Sequence, residues 1–357
     1  MKVLKKIFKA ILIVILIAVI GFGGLIIYAV ITDYKPGETE IVYNSENAVK
    51  LNDSVEISLL SWNIGYCGMD NAMDFFYDGG TKVFTPRVKC IENLVAVRDF
   101  LSRNDSIDFY LIQEVDKGSK RSYYINEYDS LTNAMHAYSP FFGKNYDVFF
   151  VPVPPATPMG KVLSGLVILS KFQPASSTRY SFPGEYGFPK QLFMLDRCFL
   201  VNLYPLESGK ELIIINTHNE AFDSGQIRKA QMAYLKDFLL DEYDKGNFII
   251  TGGDWNQTPP DFKSAFTMNK TDTTQMVIPS DYLPSAWEWL YDRSTPTERN
   301  VIKAYEPAST PTTIFDFFLI SPNVEALSVE GVQLNFENSD HNPVRVKVKL
   351  SKTPEQN

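Results

Sequence analysis

Two of the chain's three histidines stand among amides and acids: His218 in "NTHN" and His341 in "SDHNPV". An imidazole titrates near pH ~6.5 and can move a proton at neutrality. Other scarce chemistry gathers in similar short stretches. Asn63 closes "SWN", Glu114 follows "LIQ", Asp254 and Asn256 belong to "GGDWN", and Asp340 precedes His341. Carboxylate and amide oxygens suit a hard divalent cation, and an imidazole beside them stays free for proton transfer. Each residue also has a plain structural reading. Glu114 can be a surface acid in a turn, Gly-Gly-Asp a simple turn, His218 a hydrogen-bonded structural histidine, and His341 a solvated loop residue. Asp316 is harder to dismiss, because it sits inside the apolar run "TIFDFFLIS". A buried, unpaired carboxylate costs roughly several kcal/mol. His341 is the natural partner: a carboxylate on one ring nitrogen fixes the tautomer and raises the basicity of the other.

The elements that must carry these residues are short apolar runs, each ending in something polar. "VEISLLSWN" reaches Asn63, "DFYLIQEVD" reaches Glu114, "ELIIINTHN" reaches His218, and "NFIITGGDWN" reaches Asp254 and Asn256. If that last stretch is extended, residues two apart share a side, and the paired glycines permit close backbone approach. Between the runs lie helical spacings, with Val88, Ile91, Leu94, Val95 and Leu101 on one face and Ile227, Tyr234, Leu235, Phe238 and Leu239 on another. Strands alternate with helices, which makes the class α/β or α+β.

Composition, 45% hydrophobic with 13% aromatic residues, supports a sizeable core rather than disorder. The first nine residues hold four lysines and no acid, and residues 10–32 are apolar throughout, long enough at ~1.5 Å per residue to cross a bilayer core of roughly 30 Å. Lysines before the run and acids after it place the N-terminus in the cytoplasm and the bulk outside the cytoplasmic membrane; a cleaved signal peptide is the rival reading. Residues 33–54, with Pro36 and Gly37, read as a linker, 55–350 as the domain and 351–357 as a polar tail. Without the basic segment, 30 Lys and Arg face 42 Asp and Glu, which disfavours a sequence-independent grip on duplex DNA. Cys67, Cys90 and Cys198 form no C-x-x-C pair and read as buried thiols, or at most one disulfide.

Taken in order, "SWN", "QE", "NTHN", "GGDWN", "DFFLIS" and "SDHNPV" resemble the endonuclease/exonuclease/phosphatase superfamily. That superfamily includes pancreatic deoxyribonuclease, abasic-site endonucleases, bacterial sphingomyelinases and inositol polyphosphate 5-phosphatases. "TPRVKCIENL", "GLVILSKF" and "IRKAQMAYL", the last through Arg228 and Gln231, agree with it. The resemblance implies a four-layer sandwich of two mixed β-sheets flanked by helices. It implies that Glu114, with Asn63 and a supporting Asp340, holds Mg²⁺, or Mn²⁺ in its place, and that Asp254 and Asn256 position the attacking water and the phosphate. His218 would contact a phosphate oxygen or protonate the leaving group. His341, oriented by Asp316, would be the general base or stabilise the transition state. A metal-dependent hydrolase of phosphate esters follows, of phosphodiesterase or nuclease type, monomeric and membrane-anchored, acting on nucleic acid, a phospholipid headgroup or a small phosphodiester; a phospholipid-headgroup or inositol-phosphate hydrolase of the same fold is the alternative. A catalytically silent binding module is the other class. Two stretches depart from the pattern and are candidates for choosing the substrate: "NIGYCGMDNAMDFFYDGG", and the segment after Glu114 that interleaves Lys117, Lys120 and Arg121 with Tyr123 and Tyr124. His136 within the latter reads as a surface residue. Arg293 and Arg299 offer further cations that either meet substrate or stay solvated.

Overall fold

The computed structural model describes residues 1–262 and 277–351. Helix α1 (Lys2–Thr32) comes first, then β1 (Thr39–Asn44), β2 (Glu56–Asn63), α2 (Arg87–Arg103), β3 (Phe109–Asp116), α3 (Glu127–Ala134), β4 (Ser139–Val151), β5 (Gly160–Ser170) and β6 (Ser176–Ser181). They are followed by β7 (Cys198–Pro205), β8 (Glu211–His218), α4 (Gln226–Asp244), β9 (Phe248–Asp254), β10 (Glu288–Leu290), β11 (Glu298–Arg299), β12 (Thr312–Thr313), β13 (Asp316–Ile320), β14 (Val324–Gly331) and β15 (Val344–Leu350).

Two mixed sheets stack face to face. One has the order β1-β6-β7-β8-β9-β13-β10 and the other β14-β15-β2-β3-β5-β4, with β8/β9 and β2/β3 parallel and the remaining pairs antiparallel. Strand β8 is a run of isoleucines buried on both faces, as β-branched residues in the middle of a sandwich should be. On β15 the pattern alternates, with Val344, Val346, Val348 and Leu350 inward and Lys347 outward. The inter-sheet core brings Leu59, Leu111 and Ile168 against Leu212, Ile214 and Phe318. Helices α2 and α3 cover the outer face of one sheet and α4 that of the other, which gives the four layers expected.

Several boundaries differ from the sequence reading. Helix α1 runs from Lys2, so it takes in the four lysines ahead of the apolar run 10–32, none of which breaks a helix. It is long and apolar enough to cross a membrane. The stretch read as a linker contains β1, which pairs antiparallel with β6 as the edge strand of its sheet. The inward face of α2 is also rotated from that expected: Cys90, Leu94, Val97 and Leu101 are buried, while Val88 is 68% exposed. Asn93 sets this rotation by donating to the Cys67 carbonyl at 2.9 Å and to Asp70 Oδ2 at 3.0 Å. On α4, Leu235 and Leu239 are buried as expected and Tyr234 and Phe238 half-buried. All three cysteines are free buried thiols. Beyond Ser351 the polar tail lies outside the described residues.

Candidate active site

Register delivers the polar residues to one end of the sandwich. In the β8/β9 pair His218 lies opposite Asp254, and in β9/β13 Asp254 lies opposite Asp316. Asn63 ends β2 beside Gln113 of β3, and Glu298 forms a bridge with His341. Beneath this end Gln113 donates to Asn216 Oδ1 at 2.7 Å, and Asn216 donates to the Ile112 and Val167 carbonyls, tying the two sheets together. Gly253 lets β9 come close enough: its φ is +148°, and a Cβ there would lie far inside contact distance of the Thr217 carbonyl oxygen.

Asp254 Oδ2 is the hub. Asn63 Nδ2 donates to it at 2.9 Å, His218 Nε2 is 3.3 Å away and His341 Nε2 is 3.8 Å away. The dyad expected between Asp316 and His341 is present, with His341 Nδ1 at 2.7 Å from Asp316 Oδ2. Thr297 Oγ1 accepts from the Asp316 amide, and Ser339 Oγ accepts from the His341 amide, so both partners are fixed by their backbone as well. Trp62 Nε1 donates to the His341 carbonyl. Asp254 and Asn256 share the cleft, but by a different route from the extended one. Strand β9 stops at Asp254, Asn256 turns to φ +49°, and its amide donates to Asp254 Oδ1 at 2.9 Å. Asn256 Nδ2 donates to the Asn219 carbonyl.

Glu114 stands at a bulge in β3 with φ +56°, a left-handed conformation that turns it off the regular ladder. Asn63 Nδ2 is 3.2 Å from its Oε1 and Arg121 Nη2 is 3.9 Å from its Oε2. Loss of water raises the carboxyl above its usual range; Arg121 opposes the rise and Asp340 adds to it. Asp340 is raised in the same way by burial, with Asp254 adding to the rise. A knot of partly desolvated carboxylates that repel one another is what a divalent cation relieves, so Glu114 and Asp340 fit one. Asn63 fits less freely, because its Oδ1 already accepts from the Gly65 amide at 3.0 Å, leaving one lone pair. The buried group Asp254, Asp316 and His341 can also bring ligand atoms within 4.8 Å of one another. A cation bound there through His341 Nδ1 would have to break the hydrogen bond to Asp316.

The two imidazoles are tuned apart. Burial holds His218 well below 6.5, with help from Arg197 and His341. At His341 burial opposes charging, but Asp316 and Asp254 outweigh it and raise the pKa well above 6.5. Burial pushes Asp316 up to about 6 even against the attraction of His341.

Other residues sort themselves clearly. Arg121 is buried: it bonds Asp116 at 2.9 Å and lies 3.8 Å over the Tyr66 ring, in the cleft wall. Lys117 lies over the rings of Tyr128 and Phe142, Lys120 donates to the Pro158 carbonyl, and Tyr124, His136 and Arg293 are exposed. Arg299 is buried as a tie, donating to the carbonyls of Asp70 and Met73. Arg228 and Gln231 hold the loop after His218, through the Glu220 carbonyl and the Glu220 amide. Two residues that sequence reasoning missed also line the cleft. Arg197 is buried, with Nε 3.7 Å from Glu220 Oε2 and neither Nε nor Nη1 hydrogen-bonded; Glu298 Oε2 is buried without a hydrogen bond. Their sequence signal is faint: one charged residue just before the apolar "CFLVNLY", and one in the loop "TPTERN".

The Exo_endo_phos model, described as the endonuclease/exonuclease/phosphatase family, matches residues 60–341, a span that begins just before Asn63 and ends on His341. This chain belongs to that family. Members of the endonuclease/exonuclease/phosphatase family are phosphoester hydrolases, generally dependent on a divalent metal. Among curated proteins none matches the chain. Solved structures share the family fold at low identity. An endonuclease/exonuclease/phosphatase from Beutenbergia cavernae is 15% identical, with 84% of this chain and 73% of that chain covered and a TM-score of 0.58. TDP2 of D. rerio, solved with a single-strand DNA product, is 14% identical, with coverage of 82% and 98% and a TM-score of 0.51. The human Nocturnin catalytic domain, solved with a bound sulfate anion, is 16% identical, with coverage of 85% and 97% and a TM-score of 0.51. Helix α1 and strand β1 precede the part of the chain that matches the family model.

Proposed function

We propose that this chain is a Mg²⁺-dependent phosphodiesterase-type hydrolase, with Mn²⁺ able to replace Mg²⁺, held in the cytoplasmic membrane by α1 with its domain outside. The observation that carries the reading is the convergence on Asp254 Oδ2 of Asn63, His218 and a His341 already oriented by Asp316. Glu114 and Asp340 would hold the cation, with Asn63 beside them. When bound, the cation supplies neutralisation of a phosphoryl oxygen and a more acidic water.

The chain's own residues do the rest. Asp254, steadied by Asn63 and the Asn256 amide, takes a proton from the attacking water. His341 presents Nε2 to a phosphoryl oxygen, because Nδ1 is committed to Asp316. His218, 3.3 Å from the same carboxylate oxygen, serves the leaving oxygen. Such groups are preorganised, so their dipoles need no rearrangement as charge develops.

The test is hydrolysis of bis(4-nitrophenyl) phosphate by the full chain in detergent, abolished by chelator and restored by Mg²⁺. Glu114→Gln keeps the size and loses the charge, so calorimetric Mg²⁺ affinity and turnover should fall together while the fold survives. Retention of activity within about twofold would remove Glu114 from the metal site. An intact chain that neither binds metal nor hydrolyses the diester would be the silent binding module. For topology, protease added to intact cells should remove the domain; protection until lysis would reverse the orientation.

A further inference from the structure

Beside the polar end the cleft of about 800 Å³ has an apolar wall that the chemistry described above does not use. Met69, Phe75, Tyr146, Val151 and Met159 form a hydrophobic cluster of their own, apart from the three layers of the sandwich core. Much of it comes from the stretch after Asn63 that departs from the family pattern. Tyr77 and Phe222, each about 40% exposed, meet edge to face at 5.1 Å at the rim of the same cleft.

The wall lies next to the end of α1. Strand β4, whose last residue Val151 belongs to the wall, meets α1 through Tyr28 and Phe149, whose ring centroids are 4.6 Å apart. The segment that supplies Phe193, Met194 and Arg197 to the cleft is also close: Asp33, directly after α1, is near enough to Glu185 and Asp196 for their charges to act on one another. One element of the cleft therefore touches α1 near its end, and a second lies within charge range of the residue that follows it.

We propose that the cleft takes the phosphate of a membrane phospholipid at its polar end and the adjoining apolar part of that lipid along the Met69–Met159 wall. This rests on the hydrolase reading above and names its substrate class. Strand β4 joins the wall, through Val151, to α1, through Phe149, close to where α1 would emerge from the bilayer. Among the described residues four cations line the cleft; Arg299 is tied to backbone carbonyls, and Arg197 and Lys190 are two separate charges, not the row that successive nucleic-acid phosphates require. Arg121 is committed to Asp116, and the chain outside the basic segment is acidic. In the reaction the oxygen of water forms a new bond to phosphorus and one ester P–O bond breaks. One proton of the water ends on the departing alcohol and the other on the phosphomonoester.

The experiment uses the full chain in detergent and hexyl, octyl and decyl phosphate, each below its micelle concentration. Direct calorimetric binding should tighten by up to about fourfold per methylene until the wall is filled. Val153 is half-buried against the same cluster and lines the cleft; Val153→Asp and Met159→Gln should flatten that dependence while the circular dichroism is unchanged. With equimolar phosphatidylcholine and phosphatidylglycerol vesicles, both variants should lower the ratio of lipid to bis(4-nitrophenyl) phosphate hydrolysis at least tenfold. A flat chain-length series, or a single-stranded oligonucleotide that competes better than decyl phosphate, would overturn the lipid reading. Hydrolysis of the soluble diester would in that case leave the hydrolase reading intact. Chain-length-dependent binding without any hydrolysis would support the lipid site and overturn the hydrolase.

Discussion

Asp254 Oδ2 shows how one oxygen can organise a site. Two imidazoles and an amide reach it from β8, from the loop before β15 and from β2, and the imidazoles differ at their other nitrogens: His341 Nδ1 is bonded to Asp316, while among the described residues His218 Nδ1 has no hydrogen bond. If Asp316 acts only by holding His341, the two behave as a unit. His341→Ala should then remove most of the diesterase rate, Asp316→Asn much of it, and the double variant little more than the first. Losses in kcat/KM that add within about 0.5 kcal/mol would separate the pair. His218 makes a thermodynamic prediction. Its folded pKa lies below the unfolded ~6.5, so at low pH the unfolded chain binds the proton that the native site refuses. The stability it contributes is complete above pH ~6.5 and is lost as the pH falls toward the folded pKa. Relative to His218→Gln, the parent should lose at most about 1.4 kcal/mol per pH unit below that point, measured by denaturant unfolding without metal. A pH-independent difference would mean that the native ring takes up the proton freely.

At the scale of elements, the placing of the site depends on how closely β8 and β9 approach. Gly253→Ala should cost several times more than Gly209→Ala, whose φ is also positive but whose side has nothing within 4 Å; roughly 1 kcal/mol is expected for the latter. Equal shifts in Tm would show that the clash with Thr217 relaxes at no cost. The strands that carry Asn63, Glu114, His218 and Asp254 are legible in the sequence because each is an apolar run that gives way to polar residues near its end, and burial of both faces leaves that end for chemistry. The pairing of Asp316 with His341 is legible because a carboxylate inside "TIFDFFLIS" needs a partner. Other features have no local signature. Strand β1 looks like a polar linker because it is an edge strand with half its residues toward water. The buried face of α2 is set by the hydrogen bonds of Asn93 to a loop distant in sequence, which periodicity does not record. Arg197 and the apolar wall are assembled from segments far apart in the chain, so no window along it contains them.

For the whole molecule, the edge strand gives a direct test of where the folded domain begins. A chain starting at Glu38 retains β1 and should stay soluble, whereas one starting at Val55 exposes the edge of β6 and should aggregate, as seen by size-exclusion chromatography. Equal behaviour of the two would make β1 dispensable. The same strand limits motion. Only residues 33–38 separate α1 from β1, a reach of at most about 20 Å even when fully extended. With α1 in a bilayer, the domain is therefore tethered without slack and explores a disc rather than a volume. Its encounters with lipid are counted per unit area: diluting vesicles at a fixed protein-to-lipid ratio should leave turnover unchanged, and diluting substrate lipid with an inert one in the same bilayer should reduce it. A rate that instead followed bulk lipid concentration would mean that the tether does not set the encounter. Held this way, the enzyme would answer to the composition of its own patch of membrane and not to the amount of membrane in its surroundings.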